Sequence, residues 1–169
     1  MKQSTKAVVR GALIAAIYAA LTYVAGAVGL AYGQIQFRFS EALTILPVFT
    51  SAAIPGLSVG CLLSNLASPY PLDLICGTAA TLLAAICTRL LRKVKLCGLP
   101  ILAPLPPVVF NALIVGAEIA FTADTGFSLP AFFLAALEVG LGELVVCYLL
   151  GLPLYLAIER SGAKDYMFS

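Results

Sequence analysis

Histidine and tryptophan are absent from this chain, methionine occurs twice, and only 11% of its 169 residues are charged. Without histidine the commonest metal ligand and the usual proton shuttle near neutral pH are missing. A soluble domain carries roughly 25% charged residues, so this chain cannot dress a water-facing surface. A formal charge of +2 is too weak for a nucleic-acid binder. No Walker-type glycine-rich loop is present. The five cysteines, Cys61, Cys76, Cys87, Cys97 and Cys147, never fall into a Cys-x-x-Cys pair. They read as small buried apolar groups, not as a metal or redox site.

What the chain has is apolar sequence: 62% hydrophobic residues and a mean hydropathy of +1.04. A bilayer span takes about 20 helical residues, so six spans would consume about 120 residues and nearly exhaust the chain. The expectation is an all-α integral membrane protein, one transmembrane domain over residues 1–169, with no folded catalytic or ATPase domain in water. The apolar runs place six helices at about 8–30, 39–50, 54–67, 73–91, 104–121 and 129–158. The second and third are short, and each carries a proline, Pro47 and Pro55, that disturbs helix geometry. They read as two short tilted helices, with one re-entrant hairpin as the alternative. The prolines Pro100, Pro104, Pro106 and Pro107 leave the start of the fifth run irregular.

Charge orients the chain. With the N-terminus in the cytoplasm, Lys2, Lys6, Arg10, Arg89, Arg92, Lys93, Lys95, Arg160 and Lys164 all lie inside, nine of the ten basic residues. The positive-inside rule then puts both termini in the cytoplasm. Arg38 is the exception on the outer side, either an exposed interface marker or a site residue paired with Glu41 three positions on.

Carboxylates inside membrane segments are expensive and tend to face a cavity or a partner. Glu41, Asp73, Glu118, Glu138 and Glu143 lie in or at the rim of the apolar runs. Asp73 reads as a helix-start carboxylate favoured by the dipole, and Ser40 as an N-cap ahead of Glu41. Asn111 and Glu118, seven residues apart, share a face about 10 Å apart along the fifth helix. Glu143 projects about 140° away from Glu138, so the two are expected in different places. Counting depth along straight spans brings Glu41, Glu118 and Glu138 together in the outer half of the bilayer, an outward-accessible binding site. No nucleophile–base pair accompanies them, and neither catalytic nor metal-binding residues are expected. Such a site suits a polar or cationic small molecule, with Tyr18, Tyr23, Tyr32, Phe37 and Phe39 as rings to stack on it or as interface anchors.

The first run repeats small residues every four positions on two ridges, Gly11, Ala15, Ala19 and Ala12, Ala16, Ala20. Gly56, Gly60 and Ser64 repeat the pattern in the third run. These are close-approach faces for another helix, inside the chain or on a larger membrane partner.

The stretches "RFSEALTILP" (Arg38–Pro47), "AIPGLSVGCLLSNL" (Ala53–Leu66) and "PLDLICGTAATLLAA" (Pro71–Ala85) resemble the QueT family, over nearly the whole chain. That family comprises substrate-binding S components of energy-coupling factor (ECF) transporters for queuosine precursors. The resemblance implies a six-helix bundle in the bacterial cell membrane that binds a 7-deazapurine, such as queuine or a preQ compound, near the outer face. It implies as partners a transmembrane coupling subunit and two cytosolic ATPases that hydrolyse the ATP, with no cofactor in this chain. It also implies that Arg38, Ser40 and Glu41 belong to the family motif, and that one alanine ridge docks the partner. Phe37 joins the ligand-binding set beside them. The competing function is a small secondary transporter of a polar or cationic solute acting as a homodimer, disfavoured because six short spans hold two alternating halves poorly.

The orientation has a direct test. On a cysteine-free background in intact cells, an impermeant thiol reagent is expected to label a cysteine placed at position 34 and to spare one at position 94. Labelling of 94 but not of 34 overturns it.

Overall fold

The computed structural model describes residues 3–31, 36–96, 98–123 and 126–162, and it is all helical apart from one isolated bridge between Leu96 and Leu99. The expectations placed on Tyr32, Gln34, Cys97, Lys2 and Lys164 lie outside the described residues. In order come α1 (Gln3–Ala27), a 3-10 helix (Phe39–Val48), α2 (Ala53–Asn65), α3 (Asp73–Leu91), α4 (Leu105–Thr122), α5 (Leu129–Val146), a π-helical turn (Cys147–Gly151) and α6 (Leu152–Arg160). Four helical segments, Ser4–Ala27, Asp73–Leu91, Leu105–Thr122 and Leu129–Arg160, are long and apolar enough to cross a membrane.

Successive helices pack as neighbours, α1 on α2, α2 on α3, α3 on α4 and α4 on α5. The 3-10 helix lies among them, touching α1, α2, α3, α5, the π turn and α6. Residues 40–47 of that segment are all buried, so it is the core of the bundle rather than a lipid-facing span. A 3-10 rise of about 2.0 Å per residue stretches ten residues to about 20 Å, where an α-helix would reach about 15 Å. Pro47, lacking an N–H, removes one ladder donor near its end. At the end of the helix, where carbonyls lack partners within it, those of Pro47 and Val48 accept bonds from Arg89 Nη1 at 2.9 and 3.2 Å.

The helix starts follow local chemistry. Ser128 accepts a bond from Ala131 N at 3.3 Å and caps α5, with Pro130 in the first turn. α4 starts at Leu105 with Pro106 and Pro107 in its first turn, where their missing donors cost nothing. In the final helical run Pro153 cannot donate to the carbonyl four residues back, and the π turn just before it takes up the mismatch. Ser40 does not cap: the 3-10 helix is entered from Arg38 without a side-chain cap, and the Ser40 hydroxyl instead accepts from Thr22 Oγ1 at 2.7 Å.

Large apolar side chains face outward, Leu13, Ile17, Val24, Leu113, Phe133 and Leu137 among them. Small and hydroxylated residues fill the inside. This is the packing expected where lipid is as apolar as leucine and close backbone approach drives association. The two ridges of α1 are thereby distinguished. Gly11, Ala15 and Ala19 are buried, and a Cβ on Gly60 would lie 2.8 Å from Tyr18 Cβ and 2.9 Å from the Ala15 carbonyl. That ridge is consumed by α2 within the chain, which corrects its assignment to a partner. Ala12, Ala16 and Ala20 are exposed.

Gly60→Ala is therefore expected to push α1 off α2 and to destabilise the fold by about 1–3 kcal/mol, the usual cost of overpacking. Ala16→Leu, on the outward ridge, is expected to leave the melting temperature in detergent unchanged. Equal melting of Gly60→Ala and the parent would refute the α1–α2 contact.

Candidate functional site

One end of the bundle holds an unusual amount of buried polarity. Arg38 is 5% exposed, so it is not an exposed interface marker. Its Nη2 pairs with Asp73 Oδ2 at 2.7 Å, its Nη1 donates to Asn65 Oδ1 at 3.3 Å, and its Nε to the Ala31 carbonyl at 3.2 Å. One guanidinium thus ties the segment after α1 to the end of α2 and the start of α3. Asp73 also accepts from Ser68 Oγ at 3.0 Å, and Asn65 Nδ2 donates to the Asp73 carbonyl at 2.7 Å. The ion pair expected between Arg38 and Glu41 is replaced by this one. Asp73, far from being a simple helix-start carboxylate, is the counter-ion. Its position at the N-terminus of α3 adds a favourable dipole contribution.

Glu41 faces the opposite way, toward α1, where the Tyr18 hydroxyl donates to its Oε1. Tyr18 is wholly buried and serves the carboxylate rather than a stacking surface. Tyr23 is exposed and donates to the Leu63 carbonyl at 2.8 Å. Phe37 and Phe39 are half-buried at the entrance to the 3-10 helix.

On α4, Asn111 and Glu118 are both 5% exposed. On α5 the buried stripe is Ala135, Val139, Gly142, Glu143 and Val146, so Glu143 points inward and Glu138 is left half-buried beside the stripe. This reverses the sequence assignment of the two glutamates. Glu143 accepts from the Cys147 thiol at 3.5 Å, and Cys147 also reaches the Glu41 carbonyl at 3.7 Å. Gly142 allows the backbone of Gln36 to lie directly on α5, which brings the entry to the 3-10 helix against Glu143. Glu41, Glu118 and Glu143 all lie within electrostatic reach of Arg38.

The hydrogen bonds leave a specific remainder. Glu41 Oε2, Asp73 Oδ1, Asn111 Nδ2 and both oxygens of Glu118 are buried without a partner. Each such atom costs about 1–3 kcal/mol if it stays unpaired, and native interiors avoid this unless a site needs it. With the Thr78 hydroxyl, the remainder is one amide donor, one hydroxyl and several carboxylate acceptors, atoms that a hydrogen-bonding guest would satisfy. Sequence reasoning passed over Asn65, and it read Tyr18 as a ring or anchor, Asp73 as a helix-start carboxylate and Glu143 as lying away from the site. Asn65 and Asp73 had a signal in their polarity beside Arg38; Glu143 had one in the small residues Ala135 and Gly142 that mark its helix face.

The QueT transporter family matches residues 8–160. The queuosine precursor transporter QueT of Lactococcus lactis subsp. cremoris (strain MG1363) is 38% identical over 81 residues, 48% of this chain and 48% of that protein. The match thus spans about half the length of that relative. No solved structure matches the chain.

Removing one member of a buried ion pair strands the other, at about 3–5 kcal/mol. Arg38→Met and Asp73→Asn are each expected to lower thermal stability in detergent by that order. The double variant Arg38→Met with Asp73→Leu, which removes both charges, is expected to melt above either. Single variants that melt like the parent would show that the pair does not hold this end of the bundle.

Proposed function

We propose, for a chain that belongs to the QueT transporter family, that it is the substrate-binding membrane subunit of an ATP-driven ECF importer. Its cargo is a queuosine precursor, a 7-deazaguanine taken from outside and handed to a coupling subunit with two cytosolic ATPases. The four long apolar helices span the bilayer, the two short helical passes between the first and second of them are set within it, and both termini lie inside, so the Arg38 end faces outward.

The observation that carries this reading is the unpaired set on α4. A deazaguanine shows one acceptor and two donors along its Watson–Crick edge, O6, N1–H and the exocyclic amine. Asn111 Nδ2 and the two Glu118 oxygens supply the complement, one donor and two acceptors. Seven residues of helix set their Cα atoms about 10 Å apart on one face, and the Glu118 side chain leans along it toward Asn111, because helical side chains tilt toward the N-terminus. Arg38 and Asp73 close the outer end, while Glu41 and Tyr18 line the α1 side.

Docking uses the outward face of α1. Ala12, Ala16 and Ala20 form an exposed small-residue ridge, and an apolar groove of about 520 Å³ adjoins it between α1 and α2, lined by Val8, Ala12, Pro55 and Val59. The groove lies at the end opposite Arg38, the cytoplasmic end in this orientation. The same helix turns Tyr18 and Thr22 inward to the site, so one rigid rod joins the docking face to the ligand.

Reconstituted alone, the chain is expected to bind a deazaguanine without concentrating it; adding the coupling subunit and ATPases is expected to give ATP-dependent uptake. Glu118→Gln puts a donor opposite a donor and is expected to weaken binding by roughly 1.5–3 kcal/mol, ten- to hundredfold, whereas Glu138→Gln changes it little. Ala16→Leu is expected to weaken assembly and leave binding intact. Uptake by the chain alone, or normal binding by Glu118→Gln in calorimetric titration, would overturn the proposal.

A further inference from the structure

The buried ionisable groups of the site do not balance. Among the described residues the buried ionisable acids are Glu41, Asp73, Glu118 and Glu143, and the buried cation is Arg38. Asp73 is the acid that holds Arg38 in a direct ion pair. Glu118 is assigned above to the edge of the ring, and Glu41 is met by the Tyr18 hydroxyl. Glu143 is 4% exposed, and the donor bonded to it is the thiol of Cys147 at 3.5 Å, a weak one. A carboxylate so placed calls for a stronger donor, and a cation most of all.

We propose that Glu143 determines specificity by receiving a positive charge on the cargo, so that the site selects amine-bearing 7-deazaguanines over neutral ones. The inference rests on the binding mode given under Proposed function and extends it by one group. In a deazaguanine the substituent on C7 lies next to O6. Asn111, which faces O6 in that mode, lies beside the Glu143 carboxyl, yet its Nδ2 makes no full hydrogen bond within the chain. Glu118, Asn111 and Glu143 therefore meet successive groups around the ring in the order the ring presents them: the exocyclic amine and N1–H, then O6, then the C7 substituent. An ammonium on a one-carbon arm from C7 reaches Glu143, with the second oxygen of Glu41, also unpartnered, on the far side. A nitrile at the same place offers an acceptor to a carboxylate and is repelled.

The structure also explains why this acid is reachable. Gly142 removes the side chain that would otherwise separate α5 from the Gln36 backbone, which seats the entry to the 3-10 helix, and Glu41 behind it, directly against the Glu143 turn. Glu138, one residue off the buried stripe, has no such neighbours and takes no part.

The test uses the full chain in detergent or nanodiscs and two probes of nearly equal size, 7-aminomethyl-7-deazaguanine and 7-cyano-7-deazaguanine. The parent protein is expected to bind the aminomethyl compound ten- to hundredfold more tightly, roughly the worth of a charge-assisted bond. Glu143→Gln is expected to lose most of that preference, weakening the aminomethyl compound while binding the cyano compound at least as tightly as the parent, which also reports that it has folded. Glu118→Gln is expected to weaken both probes alike. Equal affinity of the parent for the two probes would overturn the charge assignment with the deazaguanine reading left standing, and that comparison requires no variant. Equal weakening of both probes in Glu143→Gln would reduce Glu143 to a packing role and overturn it too. Binding of neither probe by the folded parent would overturn the deazaguanine reading and this inference with it.

Discussion

A guanidinium cannot lie in an apolar bundle without a fixed counter-charge, and the Arg38–Asp73 pair at 2.7 Å is the constraint from which the rest of this end of the protein follows. Desolvating each ion costs several kcal/mol even after relaxation, so the remaining donors and acceptors must be satisfied too. Asn65, Ser68 and the Ala31 carbonyl take most of them, and Asp73 Oδ1 is left over. Three separate stretches of chain are thereby committed to one point. The 3-10 helix begins there, which turns Ser40 toward Thr22 and Glu41 toward Tyr18.

The opposite end is held by a second arginine. Arg89, in the last turn of α3, takes the two free carbonyls of the 3-10 helix, while Asp73 in the first turn takes Arg38. A ten-residue segment is thus pinned alongside α3 from top to bottom. Its stretched geometry lets it run about 20 Å through the bundle, short of a full hydrocarbon thickness of about 30 Å. Surrounded by protein, it need not meet lipid, and it can carry a carboxylate where an exposed span cannot.

Small residues divide the work on α1. One ridge admits α2 at backbone contact, the other stays outward, and the inward tyrosine and threonine enter the site. In the proposed importer this makes α1 the mechanical link between ligand and partner. A bound cargo that completes the unpaired atoms of α4 and the 3-10 helix would stiffen the interior against which α1 rests, and the outward ridge would carry that state to the coupling subunit.

Sequence by itself determined the solvent, the segment count and the polar inventory. The scarcity of charge required a bilayer, the apolar runs placed the helices, and Arg38, Glu41, Asn111 and Glu118 stood out because each is costly in hydrocarbon. It did not determine which way α5 faces. Residues 129–146 are apolar on every side except for two glutamates, so hydropathy supplies no polar face to register against, and depth counted along a straight span favoured Glu138 over Glu143. Nor did it determine the partner of Arg38. Glu41, three residues away, competed with Asp73, thirty-five away in sequence, and local spacing favoured the wrong one. Only tertiary structure decided these, because the choice lies in contacts between α2, α3 and the 3-10 helix, and in the close approach that Gly142 grants to Gln36. Those are distances between segments, and no periodicity within a segment encodes them.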